Sequence, residues 1–215
     1  MGLCSTANYT TLEHMFVAPM QGSLFGSGEP ALDVLRPDRV DLDQRSWIDH
    51  QPVWLAGADT LFSALFDCCE WRQRTHIPMY ERLVDEPRLV ASAPIDGPDT
   101  PAVLIDAGRR LGGHYGVEFD SLSFNLYRTG ADSVAWHGDR HRHTVRHPLV
   151  AIISLGAPRP FAVRPRGGGA ARQWAAGGGD LLVMGGACQH DWEHAVPKVA
   201  HAGPRISVMF RHGVP

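Results

Sequence analysis

A histidine and an aspartate stand two residues apart in Trp136-His-Gly-Asp139, inside a stretch that otherwise reads as strand. On an extended chain that spacing puts both side chains on one face, roughly 6.5–7 Å apart along the backbone. An imidazole and a carboxylate so placed can hold one metal ion between them. A second histidine brought from elsewhere would complete two histidines and one carboxylate with open positions, the set that suits a non-haem Fe(II) centre. The choice for it lies between His190 and His194 in Gln189-His-Asp-Trp-Glu-His194. His190-Asp-x-x-His194 also has the spacing of the zinc-protease H-E-x-x-H motif, with Asp in place of the glutamate base. That motif needs several turns of helix. Gly185-Gly186 upstream and Pro197 downstream leave little room for one, so the segment reads as loop or strand.

The last strand-like run, Arg205-Ile-Ser-Val-Met-Phe-Arg211, adds a second chemical signal. Its alternation puts Arg205, Ser207, Met209 and Arg211 on one face and Ile206, Val208 and Phe210 on the other. Two guanidinium groups inside a β-barrel are costly if unpaired. They become sensible if each meets a carboxylate of a dicarboxylic ligand, because guanidinium pairs with carboxylate bidentately. Asn125 and Tyr127 share one face of their own strand and could add hydrogen bonds to the same ligand. Arginines that simply face solvent are the plainer alternative.

The elements that must position these groups change character along the chain. Residues 1–57 read as an irregular extension, with Gly, Pro and Ser scattered through 18–30 and one short apolar run at Val53-Trp-Leu55. Residues 58–118 read as helices and a polar connector. Asp59 is the expected cap of a helix whose core stripe is Leu61, Phe62, Leu65, Phe66 and Cys69. Thr100 and Pro101 open a second helix, which Gly112-Gly113 should end. Between them, 72–89 mixes arginines with Met79 and Tyr80, a composition suited to stacking on bases and pairing with phosphates, or to an ordinary basic loop. From 119 to 215 the pattern is short strands separated by glycine turns, which predicts a barrel or sandwich with the two helices packed outside.

Composition sets the bounds. The chain has 215 residues, 44% of them hydrophobic, enough for one sizeable core. A run long and apolar enough to span a membrane is missing, and so is a basic, then apolar, leader pattern, so neither a span nor a secretion signal is expected. Cys4, Cys68, Cys69 and Cys188 form no Cys-x-x-Cys pair and suggest no disulfide framework, which fits the cytoplasm. The net charge of -3 divides unevenly. Residues 1–119 carry 9 basic and 17 acidic side chains, and residues 120–215 carry 11 and 6. The basic half permits an anionic partner such as nucleic acid.

Taken in order, Asn125-Leu-Tyr127 with Gly130, Trp136-His-Gly-Asp139, Ile153-Ser-Leu-Gly156 with Arg159 and Phe161, Gly179-Asp-Leu-Leu-Val-Met184, Trp192-Glu-His194 with Val196-Pro197, and Pro204-Arg-Ile-Ser-Val-Met-Phe-Arg211 form an ordered set. From about Pro87 to its end the chain resembles the AlkB family of Fe(II)/2-oxoglutarate-dependent dioxygenases. The resemblance implies a mainly β fold with flanking helices, a double-stranded β-helix or jelly roll. It implies His137, Asp139 and His194 as catalytic iron ligands, and it selects His194 over His190 through the aromatic Trp192. It implies Asn125, Tyr127, Arg205, Ser207 and Arg211 at the 2-oxoglutarate site, with Fe(II), 2-oxoglutarate and O2 as cofactors. The implied activity is oxidative demethylation of 1-methyladenine or 3-methylcytosine in DNA or RNA, releasing formaldehyde, succinate and CO2. Separately, the chain is expected to act as a monomer.

Two positions depart from the family pattern. His141 stands where an acidic residue often meets the damaged base, within the cationic run Arg140-His-Arg-His143, and Ser207 stands where Asn is frequent. A flipped base needs stacking faces and a polar edge partner. Tyr80, Trp136 and His141 are the candidates for that wall, with Arg82 and Arg88 near the phosphates. The alternatives are a hydroxylase or demethylase of a protein or small molecule on the same fold, and a nucleic-acid-binding module without chemistry.

Overall fold

The structure is a computed structural model that describes residues 27–75, 77–79, 82–141 and 144–213, at 77–79 and 82–84 through the backbone alone. Among the described residues two antiparallel sheets carry the site. The larger runs in spatial order Asp38–Asp41, Ser46–Gln51, Leu181–Gly186, Val150–Gly156, Arg205–Arg211, Ser121–Tyr127, Leu89–Ala93 and Arg72–Gln73. The smaller runs Val134–His137, Trp192–Val196, Arg159–Pro165 and Arg172–Ala176. This is the expected jelly roll.

The larger sheet is covered on both faces. One face packs Tyr127, Ile152, Leu182, Met184 and Met209 against Phe161, Val163, Trp192 and Val196 of the smaller sheet. The other packs Phe124, Ile153, Val183, Val208 and Phe210 against Leu61, Phe62 and Leu65 of one helix and Leu104 and Leu111 of the other. That double coverage explains the continuous apolar run at Val150–Ile153, since a strand buried on both sides has no solvent-facing side to alternate with.

Five expectations change. The stretch 1–57 is not irregular throughout, because Asp38–Asp41 and Ser46–Gln51 belong to the larger sheet. Asp49 hid the second of these strands. It is a buried carboxylate in mid-strand, made tolerable by Arg39 at 2.7 and 2.8 Å and by the Tyr115 hydroxyl at 2.9 Å. The first helix spans Ala58–Cys68 with Gly57 at its cap position, so Asp59 lies inside the first turn. The second helix spans Ala102–Tyr115, passes through Gly112-Gly113, and stops at left-handed Gly116. Gly112 is there for space: a Cβ on it would lie 2.8 Å from the Val117 carbonyl oxygen. Thr100 donates its hydroxyl to the Pro94 carbonyl at 2.6 Å instead of capping the helix. Lastly, the sheet does not start at residue 119, since Leu89–Ala93 pairs with Ser121–Tyr127.

The turn at Gly177-Gly-Gly179 ties the sheet to the N-terminal strands. Gly179 has a φ of 89°, and its carbonyl accepts from Leu55 N–H at 3.0 Å. A Cβ there would lie 2.2 Å from the Leu55 carbonyl oxygen. Gly179→Ala is expected to cost about 2 kcal/mol or more in urea denaturation, from left-handed strain and displaced backbone together. A cost within experimental error would show that the turn yields freely.

Candidate metal centre and co-substrate pocket

His137 and His194 sit opposite each other on adjacent strands, Val134–His137 and Trp192–Val196, with a bulge between Val134 and His137. Their ring centroids are 4.3 Å apart. Asp139 lies two residues beyond the strand end at His137. Its Oδ1 lies 3.4 Å from His137 Nε2 and 3.7 Å from His194 Nε2. The three donor atoms all lie within 4.8 Å of one another, close enough to share one cation. His137 Nδ1 is 2.9 Å from the Ala135 carbonyl oxygen, a contact that favours the proton on Nδ1 and leaves Nε2 as donor to a metal. His190 is outside the group. Its Nε2 faces the Arg146 carbonyl at 3.1 Å and its ring meets His141 at 4.4 Å.

Burial alone would push Asp139 up, but Arg211 and the two histidines hold its carboxyl well below the usual carboxylate range. Arg211 Nε donates to Asp139 Oδ2 at 2.6 Å, and its NH1 donates to Ser123 Oγ. Burial pushes His194 down to about 3, helped by His137 and Arg211 and opposed by Asp139. The unfolded imidazole protonates near its ordinary value of 6.5. Between those values the unfolded chain binds more protons, so stability falls as pH drops below about 6.5. Metal-free protein is expected to unfold at progressively lower urea from pH 7 to pH 4, and His194→Ala protein to show a shallower slope. Equal slopes would remove His194 as the source.

The alternation of Arg205–Arg211 is as the sequence predicts. Ile206, Val208 and Phe210 enter the helix-side core, while Arg205, Ser207 and Met209 face the smaller sheet. Arg205 is 1% exposed. Its NH2 donates to Ser154 Oγ at 2.8 Å, and the Tyr127 ring lies 5.3 Å beneath it. Its Nε and NH1 have no partner. Burial lowers its pKa from the ordinary arginine value, though a guanidinium stays charged. A buried cation with two unmet donors fits a carboxylate. Ser154, Ser207 and Asn125 lie in one cross-strand row beside it. Asn125 Nδ2 meets Met209 Sδ at 3.5 Å. The sequence reading missed Ser154 and Ser123, which orient the two arginines, because lone serines on strands carry no signal until register is known.

A cavity of about 1410 Å³ is lined by His137, Asp139, His194, Asn125, Ser207 and Arg211 and reaches Arg72, Arg74, Glu86 and Arg88. The arginines on this wall have acidic partners. Arg72 pairs with Glu70 at 2.9 Å, Arg74 with Glu86 at 3.4 Å, and Arg88 with Glu86 at 3.2 Å. Arg88 is thus tied to a carboxylate rather than presented freely to phosphate. Trp136 borders the cavity, but one face of its ring is taken by the Arg164 guanidinium at 4.2 Å. His141 stays near the centre, its Nδ1 3.2 Å from the Asp139 carbonyl oxygen. Tyr80 and the Arg82 side chain lie outside the described residues.

Two histidines and a carboxylate with open positions are the geometry of non-haem Fe(II) oxygenases, and a buried arginine with two unmet donors in the same fold suits an acidic co-substrate. The model of the 2OG-Fe(II) oxygenase superfamily matches residues 56–211, and the chain belongs to that superfamily. Its cofactors are accordingly Fe(II), 2-oxoglutarate and O2, which the donor set and the unmet Arg205 donors fit. Alpha-ketoglutarate-dependent dioxygenase alkB homolog 3 of Bos taurus is 35% identical over 180 residues, covering 74% of this chain and 63% of that protein. DNA oxidative demethylase ALKBH2 of Arabidopsis thaliana is 33% identical over 120 residues, covering 45% and 38%. The chain therefore spans less than two thirds of the length of these relatives. The solved structure of OsALKBH1 superposes with a TM-score of 0.56 at 15% identity, covering 85% of this chain and all of that one, a likeness of fold. Among the described residues no helix is long and apolar enough to cross a membrane.

Proposed function

We propose that this chain removes methyl groups oxidatively from N-alkylated bases of the 1-methyladenine and 3-methylcytosine type in DNA or RNA, releasing formaldehyde, succinate and CO2. The observation that carries the proposal is the convergence of His137, Asp139, His194 and Arg211 at the wall of one cavity, with Arg205 buried on the strand that carries Arg211, in a chain 35% identical to an alkB homolog. In this reading the two histidines and Asp139 hold Fe(II), and Asn125, Tyr127, Arg205, Ser207 and Arg211 surround 2-oxoglutarate. When bound, iron and co-substrate supply the activation of O2 and the oxidation of the methyl carbon.

The chain's own residues fix the geometry. The Ala135 carbonyl sets the His137 tautomer, and Arg211 keeps Asp139 ionised and aimed. Arg205 offers two donors to the far carboxylate of the keto acid. Sheets on both sides exclude water from that end of the pocket. Tyr80, Arg82, Arg88, Trp136 and His141 remain the proposed substrate neighbours. We place the protein in the cytoplasm as a monomer. The described cysteines Cys68, Cys69 and Cys188 form no disulfide, as a reducing compartment would keep them.

The test is a panel of methylated single- and double-stranded DNA and RNA oligomers scored by product mass. Loss of the methyl group that requires both Fe(II) and 2-oxoglutarate is expected on at least one of them. Steady succinate release with every oligomer untouched would overturn the substrate and favour a protein or small molecule instead.

A further inference from the structure

Asp139 stands outside any strand, so ladder hydrogen bonds do not fix its backbone. Its N–H is held by a side chain from elsewhere: Gln189 Oε1 accepts it at 2.9 Å. Gln189 is 2% exposed and lies on the single turn Cys188–Asp191, which runs directly into the strand carrying His194. One buried amide therefore links the segment bearing His137 and Asp139 to the segment bearing His194.

The turn is itself gripped. Arg166 Nε donates to the His190 carbonyl at 2.7 Å, and Arg166 NH2 donates to the Gln189 carbonyl at 3.0 Å. The Arg166 N–H also donates to the Asp191 carbonyl at 2.8 Å. The same guanidinium covers Gly138: a Cβ there would lie 2.6 Å from Arg166 NH2 and 3.0 Å from the Gln189 carbonyl oxygen. Gly138, between His137 and Asp139 in sequence, is thus a place where arginine, turn and ligand loop meet without room for a side chain. From below, Gln189 Nε2 rests on Met184 Sδ at 3.7 Å.

We propose that Gln189, locked by Arg166, is a positioning residue for the metal centre, setting the Asp139 carboxylate against the two imidazoles before any cation arrives. This rests on the iron-ligand assignment above and is independent of the substrate. Outer partners that orient metal ligands commonly contribute about 10–100-fold in metal affinity.

The test is Mn(II) titration of full-length protein by calorimetry, beside the melting temperature of the metal-free form. Gln189→Met keeps the volume and removes the acceptor. It is expected to weaken Mn(II) binding about tenfold or more with the metal-free melt little changed, and to raise the Fe(II) requirement of turnover while leaving the 2-oxoglutarate requirement alone. Arg166→Ala, at an exposed side chain, should weaken binding several-fold in the same way. Combined with Gln189→Met it should add less than its own share, because both act on one contact. Wild-type affinity in Gln189→Met protein would overturn the proposal. If that variant fails to fold, wild-type affinity in Arg166→Ala protein overturns it instead, and weakened affinity supports it. His137→Ala separates the two levels. If it binds Mn(II) as wild type does, the ligand assignment has failed; if it does not bind while Gln189→Met is unaffected, only the positioning role has.

Discussion

Arg205→Met protein is expected to lose its thermal response to 2-oxoglutarate while melting no lower than wild type in the absence of ligand. Function and stability separate here because of how the guanidinium is buried. It is 1% exposed, makes one hydrogen bond to Ser154, and leaves Nε and NH1 unmet. Each unmet buried donor costs about 1–3 kcal/mol, and replacing buried charge by an apolar side chain of similar reach is often neutral or stabilising. In the proposed reading, a carboxylate of 2-oxoglutarate removes that cost in the wild type. At a ligand concentration about 100 times Kd the linkage is worth about 2.7 kcal/mol. For a chain of this size that is a rise of roughly 5–10 °C in Tm. Differential scanning fluorimetry of Mn(II)-loaded protein reads both quantities. A wild-type shift in the Arg205→Met variant would take Arg205 out of the co-substrate site.

The second large effect is expected at His137. Its side chain is 38% exposed, so its loss removes little packing. What it removes is one of three donors that converge on a single point. His137→Ala protein is expected to fold, with a circular dichroism spectrum like that of the wild type. Coupled succinate release should fall by more than the ~10–100-fold that an outer partner costs. Activity equal to wild type would end the assignment of all three ligands, because Asp139 and His194 alone would not fix a cation in this geometry.

The parts of this fold that were legible in the sequence are those governed by one local rule. The period-2 alternation of Arg205–Arg211 put the correct residues on each face, and the i, i+3, i+4 stripe of Leu61, Phe62 and Leu65 found a real helix face. The His137 and Asp139 spacing named two donors that do converge, although the strand ends at His137 and alternation along it does not place Asp139. What was hidden depended on partners distant in sequence. Asp49 breaks the apolar pattern of Ser46–Gln51 and is explained only by Arg39 and Tyr115. Gly112-Gly113 reads as a helix end, yet the helix continues because Gly112 makes room for the Val117 carbonyl. Arg74 and Arg88 looked like a basic surface until Glu86 was found between them. Spacing alone left His190 and His194 equal. The chain's likeness to known dioxygenases chose between them, and the structure shows His190 turned toward Arg146.

The strand Arg205–Arg211 has a further consequence. Its odd positions face the pocket and its even positions face the helices, so one backbone serves two unrelated environments. Deleting a single residue just before Arg205 would exchange them, swinging both guanidinium groups into hydrocarbon and a phenyl ring toward His137, Asp139 and His194. Length in this segment is therefore under tighter constraint than identity at any one of its positions. Natural variation here should take the form of substitutions, with insertions and deletions confined to the loops at either end.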